Sequence, residues 1–89
     1  MASGWSALDD GLRIYPNPAG WDAWVSMDRG GFQGVADWSL LDGMGRMTAS
    51  GSSVEGHWKL PLSDLSPGGY VLLVKRGDAV LRKRVMVAR

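Results

Sequence analysis

The sequence contains no cysteine. Disulfide bonds and thiol chemistry are therefore excluded, and this domain of 89 residues cannot rely on covalent cross-links for stability. No run of 18 apolar residues occurs, so no segment is predicted to be a transmembrane helix. Residues 1–11 also lack the basic and apolar regions of a secretory signal peptide.

Side chains that could carry catalysis or bind a metal are scarce. His57 is the single histidine, and no Gly-x-Ser-x-Gly nucleophile motif occurs. An isolated histidine in an alternating segment is typical of a solvent-facing position. Asp9, Asp10 and Asp42 do not form the aspartate-rich loop that could supply the six to eight oxygen ligands of calcium. We therefore predict no enzyme, no cofactor, no metal site and no small-molecule substrate.

Charge is distributed unevenly along the chain, although the net charge is only +1. Residues 1–45 carry two basic and six acidic side chains, whereas residues 46–89 carry eight basic and three acidic ones. Two explanations stay open: a two-sided surface that keeps the domain soluble, or a basic docking face. The basic residues are not interleaved with exposed aromatics in a recognisable module, which argues against nucleic acid as a partner.

Short alternating segments separated by glycine, proline and aspartate run through most of the chain. They predict seven strands at residues 12–15, 23–27, 35–41, 46–49, 57–62, 70–75 and 80–87. Thirteen glycines and the lack of a clean 3.6-residue period argue against helices. The predicted fold class is all-β, an antiparallel β-sandwich of about seven strands formed by residues 12–89, with residues 1–11 as a flexible leader.

Alternation within these segments also predicts which strands are central and which lie at edges. Residues 70–75 are apolar on both faces, which is typical of a central strand covered on both sides. Pro61 lies on the outer face of its segment and indicates an edge strand. Met47 is expected to point inward, and residues 50–53 are expected to form a loop.

Five tryptophans are many for this length. Trp38 and Trp58 are in phase with inward positions and are predicted to lie in the core. Trp21 falls in a loop, and Trp24 is out of phase with the apolar face of its strand. These two rings either cover a sheet end or edge, which we favour, or stack on a sugar.

The segment from Leu40 to Arg46 has the composition of a tight turn. Asp42 is expected to accept hydrogen bonds from the turn's own amides. Gly45 is expected to take a left-handed conformation, and Arg46 to pair with a carboxylate or with carbonyl groups.

Four motifs occur in order along the chain. They are Tyr15-Pro16-Asn17-Pro18, Leu40-x-Asp42-x-x-Gly45-Arg46, Leu60-x-Leu62-x-x-Leu65-x-x-Gly68-x-Tyr70-x-Leu72-x-Val74, and Lys83-Arg84-Val85-Met86-Val87. With this order and spacing, residues 12–89 resemble a C-terminal sorting domain of the type IX (Por) secretion system of the Bacteroidota, of the type A kind. The chain departs from the family pattern at Leu41, where an aromatic is common, and at Gly69, where a β-branched residue is usual.

The resemblance implies an immunoglobulin-like sandwich of seven strands that follows an N-terminal cargo domain. Its partners would be the type IX translocon, the outer-membrane shuttle protein and a sortase-like cysteine protease. That protease would cut within the leader, in residues 3–11. The cargo would travel through the periplasm to the outer membrane and cell surface, or be secreted.

The resemblance also implies roles for particular residues. Recognition by the translocon or shuttle protein would fall on Gly68, Gly69, Tyr70, Lys83, Arg84, Val85, Val87 and Arg89. The structural motif of the family would be carried by Tyr15, Pro16, Asn17, Pro18, Asp42, Gly45 and Arg46. A terminal strand at a sheet edge could pair with a receptor by strand addition, aided by a cationic face of Lys83, Arg84 and Arg89.

Two alternatives remain beside this interpretation. The domain could be a fibronectin- or immunoglobulin-like accessory module of a surface enzyme that binds carbohydrate through Trp21 and Trp24. It could also be a protein-interaction module that uses the basic closing hairpin toward a different partner.

Overall fold

Two antiparallel sheets packed face to face form the domain in the computed structural model, which describes residues 12–27 and 34–88. One sheet has the strand order β1-β2-β5 and the other the order β4-β3-β6-β7. The strands are β1 (Leu12–Tyr15), β2 (Asp22–Met27), β3 (Ala36–Leu41), β4 (Met47–Ser53), β5 (His57–Pro61), β6 (Gly68–Arg76) and β7 (Ala79–Val87).

The predicted all-β sandwich of seven strands is confirmed. The described residues contain no helix, and consequently no helix that could cross a membrane. The predicted leader (residues 1–11) and Arg89 lie outside the described residues.

One core fills the space between the sheets. Inward and outward positions alternate along the strands, and in β4 the inward positions are only half-buried. The sheet β1-β2-β5 contributes mainly small and aliphatic side chains, and β3 adds Trp38. The fully buried large side chains are Leu12, Val25, Leu40, Leu60, Leu62, Leu72, Val74, Val85 and Val87.

Strand β4 differs from its prediction. It continues to Ser53, where a loop was expected, and Met47 is 62% exposed, so the expectation of an inward side chain is wrong. The β3–β4 register shifts between Leu40 and Leu41, and this irregularity changes which side chains of β4 face the core. Backbone pairing with β3 keeps the serine-rich end of β4 in the sheet despite its weak strand propensity.

The close approach of Trp38 explains why β4 has a glycine at position 51. Gly51 pairs with Trp38, and a Cβ added at Gly51 would lie 2.8 Å from Cζ2 of that indole ring. The ring of Trp38 in turn lies nearly parallel to that of Trp58, with 6.4 Å between centroids. Trp58 is half-buried and packs against the core, so both tryptophans predicted for the interior contribute to it.

The predicted positions of β5 and β6 within the sheets agree with the structure. The predicted cover over both faces of β6 does not. β6 is central between β3 and β7, and β5, with Pro61, is an edge strand. The outer side chains Val71 and Leu73 of β6 are only half-buried, because the described residues place no further layer over them. The expectation that β6 is covered on both faces is therefore wrong.

Candidate functional site

Strand β7 carries four of the eight residues that the resemblance assigned to recognition, and Arg89 lies outside the described residues. The side chains of β7 alternate between two environments. Val85 and Val87 are 0% and 1% exposed and belong to the core. Lys83 shares their phase and is half-buried opposite Leu72. Arg84 lies on the outer face and is exposed.

The start of β6 holds the other predicted recognition residues. Tyr70 is 7% exposed, and its hydroxyl donates a hydrogen bond to the carbonyl of Ser66 at 2.6 Å, which fixes the preceding turn. Gly68 has a φ of 151°, a region that residues with a side chain rarely adopt. Gly69 is exposed on the outer face, where it leaves open the space beside Met86.

The outer edge of β7 is occupied by the segment that follows β1. Nδ2 of Asn17 donates to the carbonyl of Arg84 at 3.0 Å, and Oδ1 of Asn17 accepts from the Met86 amide at 3.0 Å. The amide of Ala19 donates to the Met86 carbonyl at 2.7 Å, and the Ala88 amide donates to the Ala19 carbonyl at 2.8 Å. We call residues 17–19 the edge clamp, since they satisfy backbone groups that a receptor strand would otherwise use.

The structure thus brings the first and last sequence motifs together. Asn17 and Pro18 line a cavity of about 560 Å³ with Gly69, Arg84 and Met86. Gly43, in the Asp42–Arg46 turn, and Tyr70 line the same cavity, so residues of all four motifs meet at one end of the larger sheet. No sequence pattern signalled this meeting, because it depends on how the two sheets are stacked.

The Asp42–Arg46 turn is built as the sequence predicted. Oδ1 of Asp42 accepts from the amides of Met44 and Arg46 at 2.8 and 2.9 Å, and Arg46 Nε lies 3.0 Å from Oδ2. Gly45 has a φ of 83°. The backbone amide of Arg46 is the main cause that holds the pKa of Asp42 below its ordinary value, and the Met44 amide and the Arg46 side chain act in the same direction.

The outer face of the larger sheet also carries Val71, Leu73 and Arg82, which are not motif positions. Val71 lies directly opposite Arg84, and Leu73 lies directly opposite Arg82. Three adjoining depressions of about 560, 540 and 310 Å³ share Val71 as a lining residue. The outward phase of the apolar residues in 70–75 and of the basic residues in 80–87 is the sequence signal that could have found this surface.

Aromatic rings cluster on the outer face of the smaller sheet. The rings of Trp24 and His57 are stacked with 4.8 Å between centroids and 10° between planes. The hydroxyl of Tyr15 lies 2.8 Å from Nε2 of His57, and these two rings are also nearly parallel. Trp24 is 40% and Tyr15 46% exposed, so the ring stack is accessible to solvent.

The part of the chain that the structure describes contains no group of three or more His, Asp or Glu side chains close enough to hold a metal ion. Charged side chains instead form isolated pairs, such as that of Lys59 and Asp22, whose Nζ and Oδ2 are 3.2 Å apart. What the structure presents is two accessible faces, one aromatic and one apolar with arginines.

Fold and surface together define a β-sandwich with an exposed, partly cationic face. A domain of PorZ from Porphyromonas gingivalis, described as an essential bacterial surface component of the type IX secretion system, has the same fold. The match has a TM-score of 0.75 and 22% identity, and it covers 98% of this chain but only 13% of that protein. No curated protein matches the chain.

The sequence itself identifies the family. Residues 13–88 match the family described as "Secretion system C-terminal sorting domain", and the chain belongs to that family. The resemblance drawn from the four motifs is thereby confirmed. Domains of this family act as sorting signals for type IX secretion, interact with its machinery and are in general not catalytic.

Proposed function

We propose that this chain directs an N-terminal cargo domain from the periplasm across the outer membrane to the cell surface or into the medium. The observation that carries the proposal is the family match over residues 13–88. The translocon and the outer-membrane shuttle protein are the partners that read the domain. A sortase-like cysteine protease then cuts within the leader, in residues 3–11.

The geometry supports direct contacts for only some of the predicted recognition residues. Gly69 and Arg84 are exposed on the outer face of the larger sheet. Tyr70, Val85 and Val87 are buried, so their contribution is to hold β6 and β7 in position. Gly68 shapes the entry into β6, and Lys83 is half-buried on the inner face. Arg89 remains part of the proposal, although it lies outside the described residues.

Charge favours an acidic binding site on the receptor. Arg82 and Arg84 are exposed on one face, and within residues 12–27 and 34–88 neither forms an ion pair with a carboxylate. An exposed cationic face accelerates docking onto an acidic partner, and the effect weakens as salt is added.

Export of a reporter tests the proposal. Residues 12–89 are fused behind a signal peptide and a reporter protein and expressed in a cell with a working type IX system. We expect the reporter at the cell surface or in the medium, and in the periplasm when the domain is omitted or the translocon is deleted. A reporter that stays periplasmic with the intact domain would refute the sorting function.

Carbohydrate binding is a second candidate function, favoured by the ring stack of Tyr15, Trp24 and His57. Accessible indole and phenol faces can stack on the apolar face of a sugar ring. The pair of Asp22 and Lys59 lies beside the stack, because Lys59 is directly opposite Trp24, and offers hydrogen bonds to sugar hydroxyl groups.

Matched tryptophan variants test this second candidate. Trp24 belongs to the ring stack, whereas Trp21 is 64% exposed and lies outside it. We expect that Trp24→Ala, but not Trp21→Ala, abolishes fluorescence quenching by a polysaccharide in a panel of bacterial surface polysaccharides. If no polysaccharide quenches the fluorescence of the intact chain, this candidate is excluded.

A further inference from the structure

We propose that the outer face of the larger sheet binds an extended, acidic polypeptide segment of the receptor through an arginine groove. We define this arginine groove by Leu41, Val71, Leu73, Arg82, Arg84 and Met86. The inference rests on the proposed sorting function, since the segment would belong to the component of the secretion machinery that reads the domain.

The floor of the arginine groove is apolar where a solvent-facing sheet is usually polar. Val71 and Leu73 lie on the outward phase of β6, and Leu41 pairs with Val71 from β3. All three are half-buried, and Met86 is 45% exposed beside them. Antiparallel sheets with one solvated face normally alternate apolar-in and polar-out, so these outward apolar side chains indicate a surface for binding.

The wall of the groove is cationic, and no carboxylate of residues 12–27 and 34–88 forms an ion pair with it. Arg82 and Arg84 stand directly opposite Leu73 and Val71 on the neighbouring strand. The nearest acidic lining residue is Asp42, whose carboxylate is already engaged by its own turn and by Arg46. Two exposed guanidinium groups beside an apolar floor are complementary to an occupant that carries both carboxylates and apolar side chains.

The spacing of these groups selects an extended polypeptide. Val71 and Leu73 are two residues apart on β6, as are Arg82 and Arg84 on β7, so both rows repeat at about 7 Å. Side chains on one face of an extended peptide repeat at the same distance. One row of such a peptide can therefore fill the floor, while the long side chains of Arg82 and Arg84 extend along the edge of the peptide to the carboxylates of its other row.

The edge clamp makes the face, and not the edge, the accessible part of β7. From Arg84 to Ala88, backbone groups on the outer edge of β7 are bonded to Asn17 and Ala19. Strand addition along this stretch would have to displace those contacts. Binding in the arginine groove leaves them intact, and Asn17 and Pro18 close one end of the groove together with Gly43.

Binding is measured by NMR on the full 89-residue chain with a defined probe. The probe is an eight-residue peptide of alternating aspartate and leucine, and its comparator has lysine in place of aspartate. We expect the acidic peptide to shift the methyl signals of Val71, Leu73 and Met86, with a Kd at or below about 1 mM. The lysine peptide is expected to leave these signals unchanged.

Charge reversal on each face provides the matched pair of variants. Arg82→Glu with Arg84→Glu should weaken binding about tenfold or more, since attraction is replaced by repulsion. Arg13→Glu is the control for the single variant Arg84→Glu: it makes the same change of net charge on the outer face of the smaller sheet and should change affinity less than about twofold. Val71→Thr with Leu73→Thr keeps strand-forming residues and should also weaken binding, because the apolar floor is lost.

Several outcomes would overturn the arginine groove. They are no shifts at about 1 mM acidic peptide, equal shifts with the lysine peptide, or an equal loss of affinity in Arg84→Glu and Arg13→Glu. Binding to phosphatidylglycerol vesicles through Arg82 and Arg84, without binding of the acidic peptide, would replace the polypeptide with a lipid surface.

Export of the same variants separates this inference from the proposed function. If the unmodified domain does not direct export, the sorting function fails, and the peptide titration alone decides whether the groove binds acidic segments. If the unmodified domain is exported and Arg82→Glu with Arg84→Glu is exported equally well, the groove is not the surface that the machinery reads.

Discussion

Replacement of Asn17 by alanine removes the side chain that fastens the segment after β1 to the last strand. Its amide group makes two hydrogen bonds, one to the Arg84 carbonyl and one from the Met86 amide, both at 3.0 Å. The neighbouring contacts of Ala19 with Met86 and Ala88 are made by the backbone and are not removed by the substitution. The edge clamp is therefore weakened but not abolished.

The expected loss of stability follows from these two bonds. A hydrogen bond within a protein contributes about 0.5–1.5 kcal/mol net, and both groups here are exposed, so that water can replace Asn17. We expect Asn17→Ala to lower the free energy of unfolding by about 1–2 kcal/mol. For a domain of this size, that change lowers Tm by about 5–15 °C.

Thermal unfolding and amide hydrogen exchange check the prediction. Asn17→Ala should lower Tm and remove the exchange protection of the Met86 amide. Asn17→Asp keeps the oxygen that accepts from Met86 but loses the donor to Arg84, so protection of the Met86 amide should persist. An unchanged Tm together with unchanged Met86 exchange in Asn17→Ala would refute the edge clamp.

The same variant distinguishes two modes of recognition. Opening the edge of β7 should strengthen the binding of a partner that adds as a strand, because that partner no longer competes with Asn17. It should leave binding in the arginine groove unchanged or weaker, since Asn17 lines one end of the groove. Stronger receptor binding by Asn17→Ala would therefore argue for strand addition.

Three other outcomes are expected. Gly51→Ala should lower stability by about 1–3 kcal/mol in chemical denaturation, because the added methyl would lie 2.8 Å from the ring of Trp38. Gly43→Ala, which has open space around it, should not lower stability. Equal losses in the two variants would contradict this prediction. Val85→Ala should cost about 2–3 kcal/mol by leaving a cavity, and Arg84→Ala less than about 0.5 kcal/mol. The pKa of Asp42 lies below its ordinary 3.8 in the folded state, so the contribution of its carboxylate to folding stability is complete above pH 3.8 and is lost as pH falls through the folded pKa. An NMR titration midpoint at or above 3.8 would contradict the turn geometry.

Alternation along the chain was sufficient to predict most of the architecture. Residues 70–75 and 80–87 form a central strand and its neighbour, because side-chain period and turn residues fix both the strands and their inward faces. Met47 was placed wrongly because a register irregularity beside Leu41 changes the phase of β4, and no local pattern marks that change. The serine-rich end of β4 was missed because pairing with β3 overrides its propensity.

Prediction of the candidate site was less complete. The motifs place the predicted recognition residues on β6 and β7, yet Val85 and Val87 are buried, whereas Arg82, which no motif contains, is exposed. The contact of Asn17 with β7 joins residues nearly seventy positions apart and could not be read from either segment alone. The end of the proposed recognition surface at the edge clamp depends on the stacking of the two sheets, which sequence periodicity does not determine.

The edge clamp also bears on the order in which this domain folds. Its side-chain hydrogen bonds join residues separated by 67 and 69 positions, so they close a loop that contains almost the whole described chain. Contacts of such long range form slowly, because the entropy of loop closure must be overcome before they contribute stability. The end of the arginine groove formed by Asn17, Pro18, Gly43 and Met86 thus depends on both extremes of the domain being in place. A partly folded chain would lack this end of the groove, and so the surface itself distinguishes a finished domain from an unfinished one.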